Sequence, residues 1–174
     1  MIGRICLSLT LPLVLGAGQD EAPKGWKRFA PDAGGFAIRL PAEPTEGKRT
    51  VKTPQGEVEV TYFLVEVKGQ GSYVVVYTEY PEEALKGGAD EKRLDNARDG
   101  AVQSAKGKLK GEKRLRLENY PGRELVVESS AAGGVRTRLY AVNNRLYQTM
   151  AAGSRGFLQA KETEQFLNSF QLVR

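Results

Sequence analysis

Residues that commonly perform acid–base or nucleophilic chemistry are sparse in this chain of 174 residues, which contains no histidine. Without imidazole there is no Ser-His-Asp or Cys-His nucleophile. Carboxylate pairs remain as a source of acid–base catalysis, and the sequence offers Glu82 with Glu83 and Glu162 with Glu164. No further signature accompanies these pairs. We therefore predict that the protein is not an enzyme and keep a carboxylate-based hydrolase as a minor alternative.

Three carboxylates on a predicted helix could bind a hard cation. Glu91, Asp95 and Asp99 are four residues apart, which places them on one stripe of a helix. Oxygen ligands of this kind suit Ca²⁺. Basic residues are interleaved with them at Lys92, Arg93 and Arg98. We therefore favour a solvated, salt-bridged helix face and predict neither a metal nor a cofactor.

A basic stretch beyond this helix is the first candidate for an interaction surface. Its members include Lys108, Lys110, Arg114 and Arg116. Concentrated positive charge suits an acidic partner. Lysines on an edge strand also prevent sheets from aggregating edge to edge. Both interpretations stay open at the level of sequence.

A second candidate surface lies further along the chain, on predicted strands. We expect Arg136, Arg138, Tyr140 and Tyr147 to share one sheet face, with Glu124, Val126 and Glu128 as their neighbours. Arginine and tyrosine are enriched in binding hot spots. Cross-strand Arg–Glu pairs beneath a helix produce the same pattern, so this surface also has a purely structural interpretation.

The aromatic residues near the start of the domain have two interpretations as well. Trp26, Phe29 and Phe36 could line a ligand groove. A single tryptophan in a small domain is more often part of the core, because it buries a large apolar area. We favour the core.

Hydrophobic periodicity and turn residues predict the elements that position these side chains. Alternation predicts strands at 35–41, 48–53, 57–66, 72–80, 109–117, 123–129, 135–142, 145–152 and 170–173. Steps of three and four residues predict helices over 90–106 and 158–168. Asn143-Asn144 is typical of a type I′ turn, which would pair Tyr140 with Tyr147 and Arg138 with Thr149.

Further local expectations follow from single residues within these elements. Gly100 lowers helix propensity, so we expect it to allow close packing of the first helix on the sheet. The segment 119–122 is predicted to form a turn. The strand at 57–66 is expected to bury one face, formed by Val58, Val60, Tyr62 and Leu64.

The first 18 residues are typical of a signal peptide. Arg4 precedes an apolar run over 5–15 that is too short for a bilayer span, and Gly16-Ala17-Gly18 supplies small residues for cleavage. We therefore predict an exported protein, periplasmic or extracellular, with a flexible lead-in over 19–25 and one domain over 26–174. The lone cysteine, Cys6, lies in the leader, so the mature domain has no disulfide.

Charge and composition restrict the partners of such a domain. The full chain carries a net charge of +5, and loss of Arg4 with the leader leaves a basic domain. This surplus permits weak contact with an anionic lipid surface, while an exported protein is not expected to meet nucleic acid. We predict a monomer whose partner is another protein in the envelope or outside the cell.

The pattern as a whole resembles the PsbP/Mog1-like family. The resemblance rests on Trp26, the strand Gly35-Phe36-Ala37-Ile38-Arg39-Leu40-Pro41, the hairpins and meander, and the closing Phe166-Leu167-Asn168-Ser169-Phe170. It implies an α+β fold, a single-domain α/β/α sandwich on a central antiparallel sheet. It also implies docking on a macromolecule rather than catalysis. The alternative function is a small-molecule or lipid carrier with a cavity between the sheet and the first helix.

Overall fold

The computed structural model describes residues 22–53, 56–81, 85, 89–129 and 133–173. Their elements, in chain order, are β1 (Lys27–Phe29), β2 (Phe36–Leu40), β3 (Thr45–Thr53), β4 (Gly56–Val67), β5 (Gly71–Glu79), α1 (Ala89–Ser104), β6 (Gly107–Leu117), β7 (Tyr120–Ser129), β8 (Gly133–Val142), β9 (Arg145–Ser154), α2 (Arg155–Gln159), α3 (Lys161–Asn168) and β10 (Gln171–Leu172). The predicted leader, Glu82 and Glu83 lie outside the described residues.

Two antiparallel sheets organise these elements. The main sheet has seven strands in the order β3-β4-β5-β9-β8-β7-β6, and a small sheet has the order β1-β2-β10. The sequence predicted one central sheet. The second sheet arises because β10 returns to pair with β2, and β1, which was not predicted, pairs along the other edge of β2.

Both faces of the main sheet are covered, which confirms the predicted α+β sandwich. Helix α1 packs on one face, where Leu94, Leu125 and Leu139 are fully buried. Helices α2 and α3 and the small sheet cover the other face, where Phe36 and Phe166 belong to the larger core. The sheet buries different faces of its strands at different places, so the simple alternation expected of a one-sided sheet is broken.

Strand β4 shows this change of face. Val58 and Val60 are buried on the α1 side, as predicted. From Thr61 onward the buried positions are on the opposite side, and Phe63 and Val65 enter the larger core. The prediction that Tyr62 and Leu64 continue the buried face is wrong, because the strand runs from beneath one layer to beneath the other.

Two turns decide the registers of the meander. The Asn143-Asn144 turn pairs Tyr140 with Tyr147 and Arg138 with Thr149 as predicted, but the predicted type I′ geometry is wrong, because Asn143 has a positive φ of 51° and Asn144 does not. The turn expected at 119–122 is displaced toward the N-terminus. Glu118, at φ 53°, occupies it, and residues 120–122 already belong to β7.

The helices also differ from expectation in two respects. The single helix predicted over 158–168 is broken at Ala160, whose ψ of 148° is extended, and α2 begins earlier, where the Ser154 side chain accepts a hydrogen bond from the Phe157 N–H. Gly100 does not mediate close packing, since a Cβ placed there would have no neighbour within 4 Å. No helix of the described residues is long and apolar enough to span a membrane.

Candidate docking groove and its basic rim

The predicted arginine–tyrosine surface is divided between an ion-pair cluster and the core. Tyr140 and Tyr147 are 4% and 2% exposed, so they do not form a contact surface. Tyr140 stacks on Phe170 with ring centroids 5.6 Å apart, and the Tyr147 hydroxyl donates to the Gly34 carbonyl at 2.9 Å. Both tyrosines lie beneath the small sheet and the chain's closing segment, which sequence periodicity could not anticipate.

The two arginines of the same set are tied to glutamates. Glu124 accepts from Arg136 at 2.7 Å and from Arg138 at 2.6 Å, and Glu164 of α3 pairs with both arginines at 2.6 and 3.0 Å. Burial works against the ionised carboxylate of Glu124, but hydrogen bonds from the two guanidinium groups hold its pKa below the ordinary range. The cluster attaches α3 to β7 and β8, which is the structural interpretation of this pattern.

The carboxylates of α1 are likewise engaged by arginines. The Arg123 guanidinium is buried beneath the helix and contacts Glu91, Asp95 and Glu112 at 2.7 to 2.8 Å. Burial disfavours its charge, yet the hydrogen bonds that it donates to these carboxylates raise its pKa above the ordinary value. The hydrogen bond from Arg123 in turn lowers the pKa of Asp95. The salt-bridged interpretation of this stripe is therefore confirmed.

Arg93 is an exception on this helix, because it is buried rather than solvated. Its guanidinium donates to the Asn143 carbonyl at 2.8 Å, pairs with Asp90, and lies 5.6 Å from the centre of the Tyr80 ring. The interleaved charges of the sequence did not distinguish this arginine from its exposed neighbours. It joins the helix to the β8–β9 turn.

The aromatic residues at the start of the domain belong to the core, as favoured. Trp26 packs edge-on against Tyr73 with centroids 5.4 Å apart, and Phe29 packs in the same way against Phe63 at 5.0 Å. Phe36 is 1% exposed. These rings hold the small sheet on the main sheet, and of the three residues only Phe29 also lines a small pocket, of about 200 Å³.

An open groove of about 1040 Å³ lies on the main sheet beside α2, and we call it the α2 groove. Its floor includes Val126, Gly134 and Arg136 of β7 and β8, while Leu158 and Arg155 of α2 and Lys110 of β6 form its sides. Val126 is 38% exposed, which is unusual for a valine in an inner strand. The floor therefore presents apolar surface to solvent.

Basic residues surround the open side of this groove, and we call them the basic rim: Lys108, Lys110, Lys113 and Arg155. Glu128 is shared between Lys110 at 2.9 Å and Arg155 at 2.8 Å. Lys108 and Lys113 pair in register with Glu128 and Glu124, which puts them on the groove face, and no described residue forms an ion pair with them. Lys110 and Arg155 thus share the single carboxylate of Glu128, and Lys108 and Lys113 add two further positive charges on the same sheet face.

Not all of the predicted basic stretch reaches the groove. Lys108 and Lys110 belong to the rim, but Arg114 and Arg116 pair with Arg123 and Pro121 and point to the α1 face. Lys110 is the extra residue of a bulge between Leu109 and Gly111, which puts Lys108, Lys110 and Lys113 on the same face. Sequence reasoning placed Val126 beside the second surface and Lys113 in the basic stretch but did not bring the two together, and it missed Arg155, because a bulge and a strand-to-helix contact have no clear sequence signal.

The remaining predicted chemistry finds no support in the site. Glu164 is occupied by the two arginines, and Glu162 is exposed on α3. Within the ranges that the structure describes, no three acidic or other metal-ligating side chains are arranged so that they could hold a metal ion.

The fold and groove together define a PsbP-like α+β sandwich with an open, basic-rimmed face. The solution structure of cyanobacterial PsbP (CyanoP) from Synechocystis sp. PCC 6803 is similar to this chain, with a TM-score of 0.54 and 12% sequence identity over 91% of this chain and 98% of that one. A crystal structure of PA94, a protein of unknown function from Pseudomonas aeruginosa, reaches 0.41 with 13% identity over 67% and 90%. No protein-family model and no curated protein matches the chain. The likeness to CyanoP shows the fold alone.

Proposed function

We propose that this chain is an exported, non-catalytic accessory module that docks on a protein partner through the α2 groove. The observation behind the proposal is the exposed apolar floor at Val126 beside a rim with unbalanced positive charge. Apolar surface supplies affinity and the charged border supplies orientation and a fast encounter. A partner with an acidic border around an apolar contact fits this face.

The docking surface differs from the one that the sequence favoured. Arg136 and Arg138 already have their charges satisfied by Glu124 and Glu164, so a partner would gain little from them. Lys108 and Lys113 have no such competitor among the described residues. We therefore assign the polar contacts to the basic rim and keep Arg136 as part of the groove floor.

Site-specific photo-crosslinking tests this docking surface. Val126 and Leu109 are each 38% exposed and lie on adjacent strands, but Val126 faces the groove and Leu109 pairs with Val127 on the opposite face. A photo-reactive phenylalanine analogue replaces each residue in turn, in the full chain expressed in its host. We expect one protein adduct at position 126, weakened as salt rises, and no matching adduct at position 109. Equal adducts at both positions, or none at 126, would contradict the proposal.

The groove volume keeps a small-molecule or lipid carrier as a second candidate. The cavity predicted between the sheet and α1 is replaced by packed side chains, since Leu94, Leu125 and Leu139 are fully buried there. The α2 groove on the other face is large enough for a drug-sized ligand. Native mass spectrometry of the chain purified from its host would show a retained small ligand if this candidate is right, and a bare chain if docking is right.

A further inference from the structure

We infer that strand β6 accepts an extended segment of the partner as an added strand, and that this segment has the pattern acidic–x–apolar–x–acidic. The inference rests on the proposed function and specifies the chemistry of its partner. It follows from three features: the free edge of β6, the spacing of two lysines along it, and a gap at Gly111 that uncovers Val126.

Strand β6 is an edge of the main sheet. Among the described strands it pairs only with β7, so the backbone N–H and C=O groups that point away from β7 are available to another strand. The strand has 11 residues, which is long for an edge strand, and it carries a bulge at Lys110 and several lysines, which limit pairing with another copy of the chain. Addition of a partner strand at such an edge is an established mode of peptide recognition, in which side-chain pockets provide specificity.

Three groove-facing positions of β6 lie opposite evenly spaced residues of β7, and Lys110 of the bulge lies between the first two. Lys108, Gly111 and Lys113 pair with Glu128, Val126 and Glu124, which are two residues apart along β7. The β7 partners of these three positions are thus about 6.6 Å apart, twice the rise per residue of a strand. Alternate residues of an added strand have the same spacing. Its first, third and fifth residues can therefore face Lys108, Gly111 and Lys113 in turn.

Gly111 leaves the middle one of these three positions without a side chain, so an apolar residue of the added strand fits there. A Cβ built there would have only the Val126 Cβ within 4 Å, at 3.9 Å, so the glycine leaves open space rather than relieving a clash. Its φ is not in the left-handed region, so the backbone does not require glycine either. An apolar side chain opposite Gly111 can cross this opening and cover Val126. Acidic residues two positions away on each side then meet the two lysines.

Charge makes this edge selective. Both edge strands are basic, since β3 contains Lys48, Arg49 and Lys52 and β6 contains the lysines of the rim. Like charges repel a second copy of the chain, and the same lysines attract an acidic strand. The two interpretations of the basic stretch, protection of an edge and attraction of an acidic partner, are therefore compatible.

Peptide binding to the intact domain tests the inference. The probe is the labelled peptide TETVTET, and the control is TTEVETT, which has the same composition but turns its glutamates to the opposite strand face. We expect TETVTET to bind about tenfold more tightly in fluorescence anisotropy at low salt. Amide hydrogen exchange should slow along β6 on binding, because an added strand protects its outward N–H groups.

Variants on the two faces of β6 separate local contacts from net charge. The double variant K108Q/K113Q should weaken TETVTET binding about tenfold, while R114Q/R116Q, which removes the same charge from the opposite face, should leave it within about twofold. G111V should weaken binding by a similar factor without any change of charge, because the valine closes the opening over Val126. Circular dichroism confirms that each variant is folded.

The outcomes separate this inference from the proposed function. Equal binding of the two peptides, or equal effects of the two double variants, would overturn strand addition. A partner adduct at position 126 that persists in G111V would likewise show that the groove binds its partner without a strand on β6. If the chain with the photo-reactive residue at position 126 and with Gly111 intact forms no adduct, the docking function itself is overturned.

Discussion

Glu124 compensates the charge of two arginines at the centre of the groove-side sheet face. Its side chain is 14% exposed, and those of Arg136 and Arg138 are 19% and 12% exposed. Removing one member of a partly buried ion cluster leaves the others desolvated without compensation, which costs more than an intact cluster contributes. Glu164 is the other carboxylate of the cluster, and its side chain is 42% exposed to solvent. Glu124 is therefore the member whose loss the cluster tolerates least.

We predict that Glu124→Gln lowers the free energy of unfolding by about 2–3 kcal/mol. Glu59→Gln is the matched control, since Glu59 pairs with Lys48 on an exposed strand face, and it should change the free energy by less than about 0.5 kcal/mol. Urea denaturation followed by circular dichroism measures both. Equal effects of the two variants would show that the cluster has no special role in stability.

A comparison of wild type with Glu124→Gln also reveals how the stabilisation by Glu124 depends on pH. The folded-state pKa of Glu124 lies below its ordinary value of 4.5, so the unfolded chain binds more protons in acid. The stabilisation is complete above that value and is lost as the pH falls through the folded-state pKa. The difference between wild type and Glu124→Gln should therefore be constant near neutral pH and shrink below about pH 4.5. A difference that grows in acid would contradict this assignment.

At the level of elements, the sequence predicted those turns and strands that residues close together in the chain determine. Asn143-Asn144 favours a tight turn at its own position, and the run of β-branched and aromatic residues over 73–77 favours a strand. The small sheet could not be predicted in this way, since β10 has two residues whose partners lie in β2. The site could be predicted only in part, because it too depends on pairing between strands. Lys108 and Lys110 are visible as charge in the sequence, but their relation to Val126 depends on a bulge and on cross-strand pairing.

Gly100 gives a prediction for helix α1. A Cβ at this position meets no neighbouring atom, so Gly100→Ala adds helix propensity without a clash and should raise the free energy of unfolding by about 1 kcal/mol. Gly122→Ala is the opposite case, because its Cβ would lie 2.5 Å from the Tyr140 ring and 2.6 Å from the Leu139 carbonyl oxygen. Thermal unfolding should shift upward for the first variant and downward for the second. A downward shift for Gly100→Ala would indicate a packing role for this glycine.

At the scale of the whole molecule, Phe170 joins the parts of the fold. Its ring stacks on Phe36 of the small sheet and on Tyr140 of the main sheet, with centroids 5.5 and 5.6 Å apart. It follows α3 directly and is 4% exposed. One side chain near the end of the described residues therefore contacts two of the three structural layers.

We predict that Phe170→Ala lowers the free energy of unfolding by about 3–5 kcal/mol, the usual cost of a large cavity in an aromatic core. Val173→Ala is the control, because Val173 is 42% exposed and only three residues away, and it should cost less than about 0.5 kcal/mol. Denaturant titration of both variants provides the measurement. A small loss for Phe170→Ala would mean that neighbouring rings collapse into the space.

The pairing of β2 with β10 has a consequence for how the chain is made. The Arg39 N–H donates to the Ser169 hydroxyl across 130 residues, and β2 forms its second edge only with residues 171–172. A ribosome releases these residues long after it has released β2, so the small sheet cannot close while the middle of the chain is still being translated. Such distant contacts also slow folding. The nascent chain consequently cannot complete the small sheet until residues 171–172 have been synthesised.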